Sequence, residues 1–478
     1  MDLPLALLGG NFFDTFMLTK TNMYSDNYNG FPSRKDFPNH FSWGVATSAF
    51  QIEGGSKPGE RGLSIWDRFC EKKDAIADGS NGLVACDHFH LYEQDLDLIQ
   101  DLGVDNYRFS IAWPRVQPLG YGAWNEEGFA FYEKLIDGAI ARGLKPYATL
   151  YHWDLPQALH EKGGWESRET CELFANYAAE VVKRFGHKLV SIATHNEPWV
   201  VAILGYEQGI FAPGIKNRKA AFQVSHHLLL SHGMALQAMR NIGTNASLGI
   251  VLNQSPIDPD TDSPQDIAKA KLDDGLLIRW YMDPLLKGKY PQDILDYLGD
   301  DAPLMADNDL KIISSPVDFI GINYYTRQLA SAKGPYEPKK LGLPVTDMGW
   351  EIYPRGLSQL LLRLHHDYSM PPIYITENGA AFQDQLNPKN EIEDQSRVDY
   401  IASHIAAVHD AIKAGVDVRG YFVWSLLDNF EWASGYAKRF GIVYVDYVTQ
   451  RRFLKLSAKW YRGFLKSPVA NEKMRVRA

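Results

Sequence analysis

Cysteine is scarce in this chain: Cys70, Cys86 and Cys171 are the only three among 478 residues. Their number is odd and no CxxC or CxxxH spacing joins them. The sequence therefore offers neither a disulfide framework nor a structural zinc site, and it points to a reducing compartment. Long apolar runs are absent too, and nothing approaches the roughly 20 residues a membrane span needs. The stretch Leu3 to Leu8 is apolar, but Asp2 precedes it and the first basic residue is Lys20. A secretory leader places its basic residues first, so the expected location is cytoplasmic. Basic charge is in deficit, with 49 Lys and Arg against 58 Asp and Glu, a net charge of -9. That balance favours solubility and disfavours nucleic acid, which requires a basic face. Two phosphate and acyl-transfer signatures are missing as well. Gly54-Gly55-Ser56, after the first predicted strand, lacks the dinucleotide fingerprint, and no GxSxG elbow occurs.

What remains is ample material for a core. Hydrophobic residues make up 45% of the chain and charged residues 22%, which excludes disorder. The 12 Trp and 25 Tyr are numerous enough to serve both as core and as stacking platforms for sugars.

The pattern from Phe41 onward alternates short apolar runs with amphipathic stretches. Strands are predicted over Trp43–Ser48, Asn106–Ala112, Lys145–Tyr151, Leu189–Thr194, Ser247–Leu252, Val317–Asn323, Ile373–Thr376 and Gly420–Trp424. Helical periodicity fills the intervals over His88–Leu102, Glu126–Arg142, Arg168–Phe185, Ala220–Ile242, Pro264–Leu298, Leu357–Tyr368 and Asp394–Ala414, with a last helix over Lys455–Leu465. Gly103, Gly143, Gly186, Gly243 and Gly415 each follow a predicted helix, where a left-handed residue is wanted. Eight strands, each followed by a helix, predict an α/β fold: a single (β/α)₈ TIM barrel over residues 36–478, with its active site at the C-terminal ends of the strands. Residues 1–35 read as an irregular N-terminal extension.

Those strand ends carry Gln51, Arg108, His152 with Trp153, Asn196 with Glu197, Asn323 with Tyr324 and Tyr325, Glu377, and Trp424. Glu431 and Trp432 follow in the loop after the last strand. Two glutamates ending strands four and seven, across the mouth from each other, suit glycoside hydrolysis. One donates a proton to the leaving oxygen and the other attacks the anomeric carbon, at about 5–5.5 Å separation in a retaining site. Arg108 and Tyr325 are expected to hold Glu377 ionised as the nucleophile. Glu197, beside an anion in a partly apolar site, is expected to stay protonated as the acid and then act as base once Glu377 is esterified. Asn196 is placed to bind the sugar 2-hydroxyl. Metal chemistry fits poorly, because His227 and His232 in the fourth long helix do not share a face with paired zinc spacing. The proposed reaction needs no metal and no organic cofactor.

Several ordered motifs then resemble glycoside hydrolase family 1, the β-glucosidase family, over about residues 37 to 467. They are Phe41–Ala49 with Gln51–Gly54, Tyr107–Trp113, His152–Pro156, Thr194–Pro198, Asn323–Thr326, Thr376–Gly379 and Trp424–Trp432. The resemblance implies a retaining, exo-acting β-glycosidase with Glu377 as nucleophile and Glu197 as acid/base, supported by Arg108, Asn323 and Tyr325. It implies that Gln51, His152, Trp153, Asn196, Glu431 and Trp432 hold the non-reducing sugar, with Trp424 as its floor and Phe440 as its outer wall. Partners are then small β-glycosides or short oligosaccharides, and no membrane or nucleic acid; a homo-oligomer is compatible with the sequence.

Three details narrow the subgroup. Glu431 is anionic where the 6-phospho-β-glycosidase branch carries Ser, so unphosphorylated sugars are expected. Glu197 is an acid where the thioglucosidase branch has Gln, which favours O-glycosides. Both carboxylates are present, unlike in a non-catalytic sugar-binding barrel. Galactosides and fucosides are expected substrates besides glucosides, and transfer to a sugar acceptor competes with hydrolysis. Ile192 stands where the family commonly has Trp, with only a packing effect expected. Trp199, Leu204, Phe211, Trp350 and the loop from Ala330 to Asp347 are candidates to line the leaving-group side.

Overall fold

The computed structural model describes residues 31–57 and 59–466. Eight parallel strands close into a barrel: β1 (Ser42–Ala46), β2 (Asn106–Ser110), β3 (Lys145–Tyr151), β4 (Ser191–Asn196), β5 (Ser247–Asn253), β6 (Phe319–Asn323), β7 (Ile373–Asn378) and β8 (Val418–Trp424). Each pairs with its neighbours in chain order, and β8 closes on β1 with Ala46 opposite Trp424. Strands β2, β4 and β6 are buried from end to end, including their polar residues.

The helices outside the barrel follow the predicted periods. They include α1 (His88–Leu102), α2 (Glu126–Ala141), α3 (Arg168–Phe185), α4 (Arg218–Ile242), α5 (Pro354–Asp367), α6 (Gln395–Lys413) and α7 (Leu456–Lys466). In α3 the buried residues Cys171, Phe174, Ala175, Ala178, Val181, Val182 and Phe185 recur at helical spacing, forming one buried stripe. Gly103 ends α1 with φ 76°, the left-handed cap that a Cβ would strain.

Three features differ from expectation. Gly186 after α3 is not left-handed; its φ is -57°. Glycine is required there for space, because a Cβ would meet the Val182 carbonyl oxygen at 2.6 Å. The single helix expected over Pro264–Leu298 is broken into Pro264–Asp274, a π-helical turn at Gly275–Arg279, Trp280–Lys287 and Gln292–Leu298. Gly288, at φ 64°, stops the third piece, and Pro291 caps the start of the last. Two short strand pairs escaped the pattern, Ile257–Pro259 with Gln328–Ala330 and Val443–Val445 with Arg452–Leu454. Three residues are too few to show a period. Of the expected extension, residues 1–30 lie outside the described residues, while Arg34–Asp36 form a 3₁₀ turn from which Arg34 pairs with Asp105.

Candidate active site

Glu377 lies one residue from the end of β7, and its register partner on β6 is Asn323. Two donors hold its carboxylate. Arg108 Nη1 donates to Oε1 at 2.7 Å, and the Tyr325 hydroxyl donates to Oε2 at 2.7 Å. The same guanidinium reaches β4, where Nη2 donates to Asn196 Oδ1 at 2.8 Å. Asn323 ties in the second glutamate: its Nδ2 donates to Glu197 Oε1 at 2.6 Å and to Asn196 Oδ1 at 3.0 Å. Thr376, one residue before Glu377, orients that amide by donating to Asn323 Oδ1 at 2.7 Å. Strands β2, β4, β6 and β7 thus deliver one connected constellation, with both glutamates buried.

The two carboxyls sit in different electrostatic settings. Glu197 is desolvated and faces the Glu377 charge, and these two effects push its pKa up to about 8. For Glu377, burial raises the pKa against the opposing charge and hydrogen bond of Arg108 and the hydrogen bonds of Tyr325 and Asn323. The expected lowering by Arg108 and Tyr325 is present, but desolvation outweighs it. Glu431 is a third, half-buried carboxyl, pushed up to about 8 by desolvation and by the Glu377 charge. Arg108 therefore pairs with one of three neighbouring carboxyls, and part of this group must keep its protons. Burial and the Arg108 charge keep His152 a neutral imidazole.

The sugar-side candidates converge on the same mouth. Gln51 lies on the short helix Ala49–Ile52 after β1. Ser48 Oγ donates to its Oε1 at 2.6 Å, while its Nε2 donates to Asn429 Oδ1 at 3.0 Å and lies 3.5 Å from Glu431 Oε2. His152 Nε2 is 3.3 Å from Asn196 Nδ2, and its ring runs nearly parallel to Trp424, 12° apart with centroids 5.7 Å distant. Trp153 donates its indole N–H to the Asn196 carbonyl at 2.8 Å and packs on Trp432, with centroids 4.5 Å apart. Phe440 and Trp424 share one buried apolar cluster, against which Tyr325 and Trp350 pack.

All the site residues expected from sequence therefore meet at one end of the barrel. Among the leaving-group candidates, Phe211 packs on Trp153 and Trp350 on Tyr325 and Phe440. Trp199 and Leu204 instead lie partly buried against the main core. Ile192 is fully buried within β4. Sequence reasoning missed Ser48 and Asn429, the groups that fix the Gln51 amide. It also missed the backbone: Trp153, Glu197 and Trp432 hold φ of 80°, 51° and 47°, a conformation that side chains other than glycine adopt at a cost. Three residues after Glu197 the chain enters a π-helical segment, Val200–Glu207.

Comparison with known proteins agrees with this geometry. The model of the glycosyl hydrolase family 1 matches residues 33–469. Beta-glucosidase A of Acetivibrio thermocellus is 45% identical over 444 residues, covering 91% of this chain and 99% of that protein. A β-glucosidase of Agrobacterium sp. is 45% identical over 433 residues, covering 89% and 94%. The solved family 1 β-glucosidase from Thermotoga maritima superposes with a TM-score of 0.87 at 42% identity, covering 90% of this chain and 98% of that one. The matched span takes in all eight strands and every residue of the mouth, and the chain belongs to glycosyl hydrolase family 1.

Proposed function

We propose that this chain is a retaining, exo-acting β-glucosidase that works through a covalent ester on Glu377. The observation that carries this reading is the unequal pair at the mouth: Glu377 touches the guanidinium of Arg108, and Glu197 touches only the neutral amide of Asn323. The pair holds one negative charge most cheaply, and Arg108 settles that charge on Glu377. In the first step a Glu377 oxygen attacks the anomeric carbon while the leaving oxygen takes the proton of Glu197. Esterification removes the charge that had raised Glu197, so its pKa falls. Glu197 then takes a proton from water, whose oxygen attacks the anomeric carbon and releases Glu377, giving net retention. An acceptor sugar entering instead of water gives transglycosylation by the same step.

Gln51, His152, Trp153, Asn196, Glu431 and Trp432 are assigned to the hydroxyls of the terminal sugar, Trp424 to its apolar face and Phe440 to its outer wall. Half-buried Glu431 offers a carboxyl rather than a cation to a sugar phosphate, which supports the unphosphorylated substrate. No helix among the described residues is long and apolar enough to cross a membrane.

The test is a rate comparison on aryl β-D-glucoside, β-D-galactoside, β-D-fucoside and 6-phospho-β-D-glucoside. Unphosphorylated glucoside is expected to exceed the phosphorylated sugar in kcat/KM by about 100-fold or more, the scale of one charge clash. Preference for the 6-phosphate would overturn the role given to Glu431. Cleavage of none would point to a binding protein.

A further inference from the structure

Behind the mouth, out of reach of the reacting atoms, lies a balanced ionic cluster. Its acids are Asp384, Asp394 and Asp428, and its cations are Arg397, Arg439 and Lys455. The side chains of Asp394, Arg397, Asp428 and Lys455 are fully excluded from solvent. Lys455 Nζ donates to Asp384 Oδ2 at 2.5 Å and to Asp428 Oδ1 at 2.6 Å.

The bonds of this cluster connect two parts of the site. Asp428 Oδ1 also accepts from the Gly441 backbone N–H at 3.0 Å, and Oδ2 accepts from Arg439 Nη1 at 2.6 Å. One carboxylate therefore clasps both ends of the loop 428–441, which carries Glu431, Trp432 and Phe440. On the far side, Arg397 Nη2 donates to the Arg439 carbonyl at 2.7 Å, and its Nε donates to the Ala380 carbonyl at 3.1 Å. Ala380 is three residues past Glu377. Directional, charge-assisted bonds fix such a span more narrowly than apolar contacts, which tolerate sliding.

We propose that Asp428, acting through this cluster, is a positioning residue that sets the distance between the sugar-gripping loop and the strand end bearing Glu377. Asp428 touches no reacting atom; it governs where Glu431 and Trp432 meet the outer hydroxyls of the sugar. The inference rests on the assignment of Glu431 to those hydroxyls.

The experiment compares full-length wild type, Asp428→Asn and Arg439→Gln on aryl β-D-glucoside and aryl β-D-xyloside, which lacks the hydroxymethyl group. In Asp428→Asn, kcat/KM on the glucoside should fall by about 100-fold, the scale of a 1 Å misplacement, with KM rising. The xyloside should lose less than about fivefold, since its missing group has no contact to lose. Arg439→Gln keeps the Lys455 bonds and should shift the glucoside-to-xyloside ratio in the same direction by less. It therefore decides the matter if Asp428→Asn does not fold. An unchanged ratio in the folded variants, with both substrates falling together, would overturn the positioning role. A wild type that cleaves neither glycoside would instead defeat the glucosidase reading itself.

Discussion

Glu377→Gly is expected to lose about 10⁴-fold or more of its kcat/KM on aryl β-D-glucoside, the scale seen when a nucleophile acting within a unit is removed. The fold should survive. Barrel closure depends on backbone pairing of β7 with β6 and β8, which the side chain does not enter. Arg108 keeps acceptors after the change, in Asn196 Oδ1 at 2.8 Å and the Thr376 carbonyl at 3.3 Å. The vacated space lies beside that guanidinium, so added azide or formate should enter it and attack the anomeric carbon in place of the lost carboxylate. Partial recovery of turnover, with a product of inverted configuration, is the expected signature. A variant with full activity, or one that no anion rescues while the fold is intact, would remove Glu377 from the chemistry.

Glu197→Ala should produce a loss that depends on the leaving group. With an alkyl glucoside, whose oxygen needs a proton, glycosylation should slow by about 10²- to 10⁴-fold. A dinitrophenyl leaving group departs without that proton, so its first step should be nearly unaffected and the ester should accumulate. The pH profile gives a second reading. The acid must be protonated and Glu197 is pushed up to about 8, so wild-type kcat/KM should fall as pH rises through that value. At the other limb the nucleophile must be ionised. Burial raises Glu377, so activity should be lost on acidification above the ordinary carboxylate range. In Glu197→Ala the basic limb should vanish, and its persistence unchanged would assign it to another group.

The barrel was legible because buried parallel strands leave a simple trace: unbroken apolar runs that stop at a polar residue. Glu377 after Ile373-Tyr374-Ile375-Thr376 is visible for that reason. The pairing of Arg108 with Glu377, 269 positions apart, followed once the barrel topology was assumed. The left-handed backbone at Trp153, Glu197 and Trp432 left no mark, since no glycine signals it. Ser48 and Asn429 matter only through contact with Gln51, one of them 378 residues distant. The ionic cluster around Asp428 joins residues spread from 384 to 455, each of which reads alone as an ordinary surface charge. Net charge shifts were equally hidden: the sequence identifies the cation beside Glu377 but not the depth of burial that opposes it.

The central claim is a covalent glycosyl ester on Glu377, and trapping that ester tests it most directly. A 2-deoxy-2-fluoro-β-D-glucosyl fluoride withdraws charge from the oxocarbenium-like transition state, slowing both steps, while its good leaving group spares the first. Mass spectrometry of the inactivated protein should show one added fluoroglucosyl group, located after digestion on the peptide containing Ile373–Gly379. A label on the peptide containing Glu197, or continued turnover of glucosides with no label anywhere, would contradict the account.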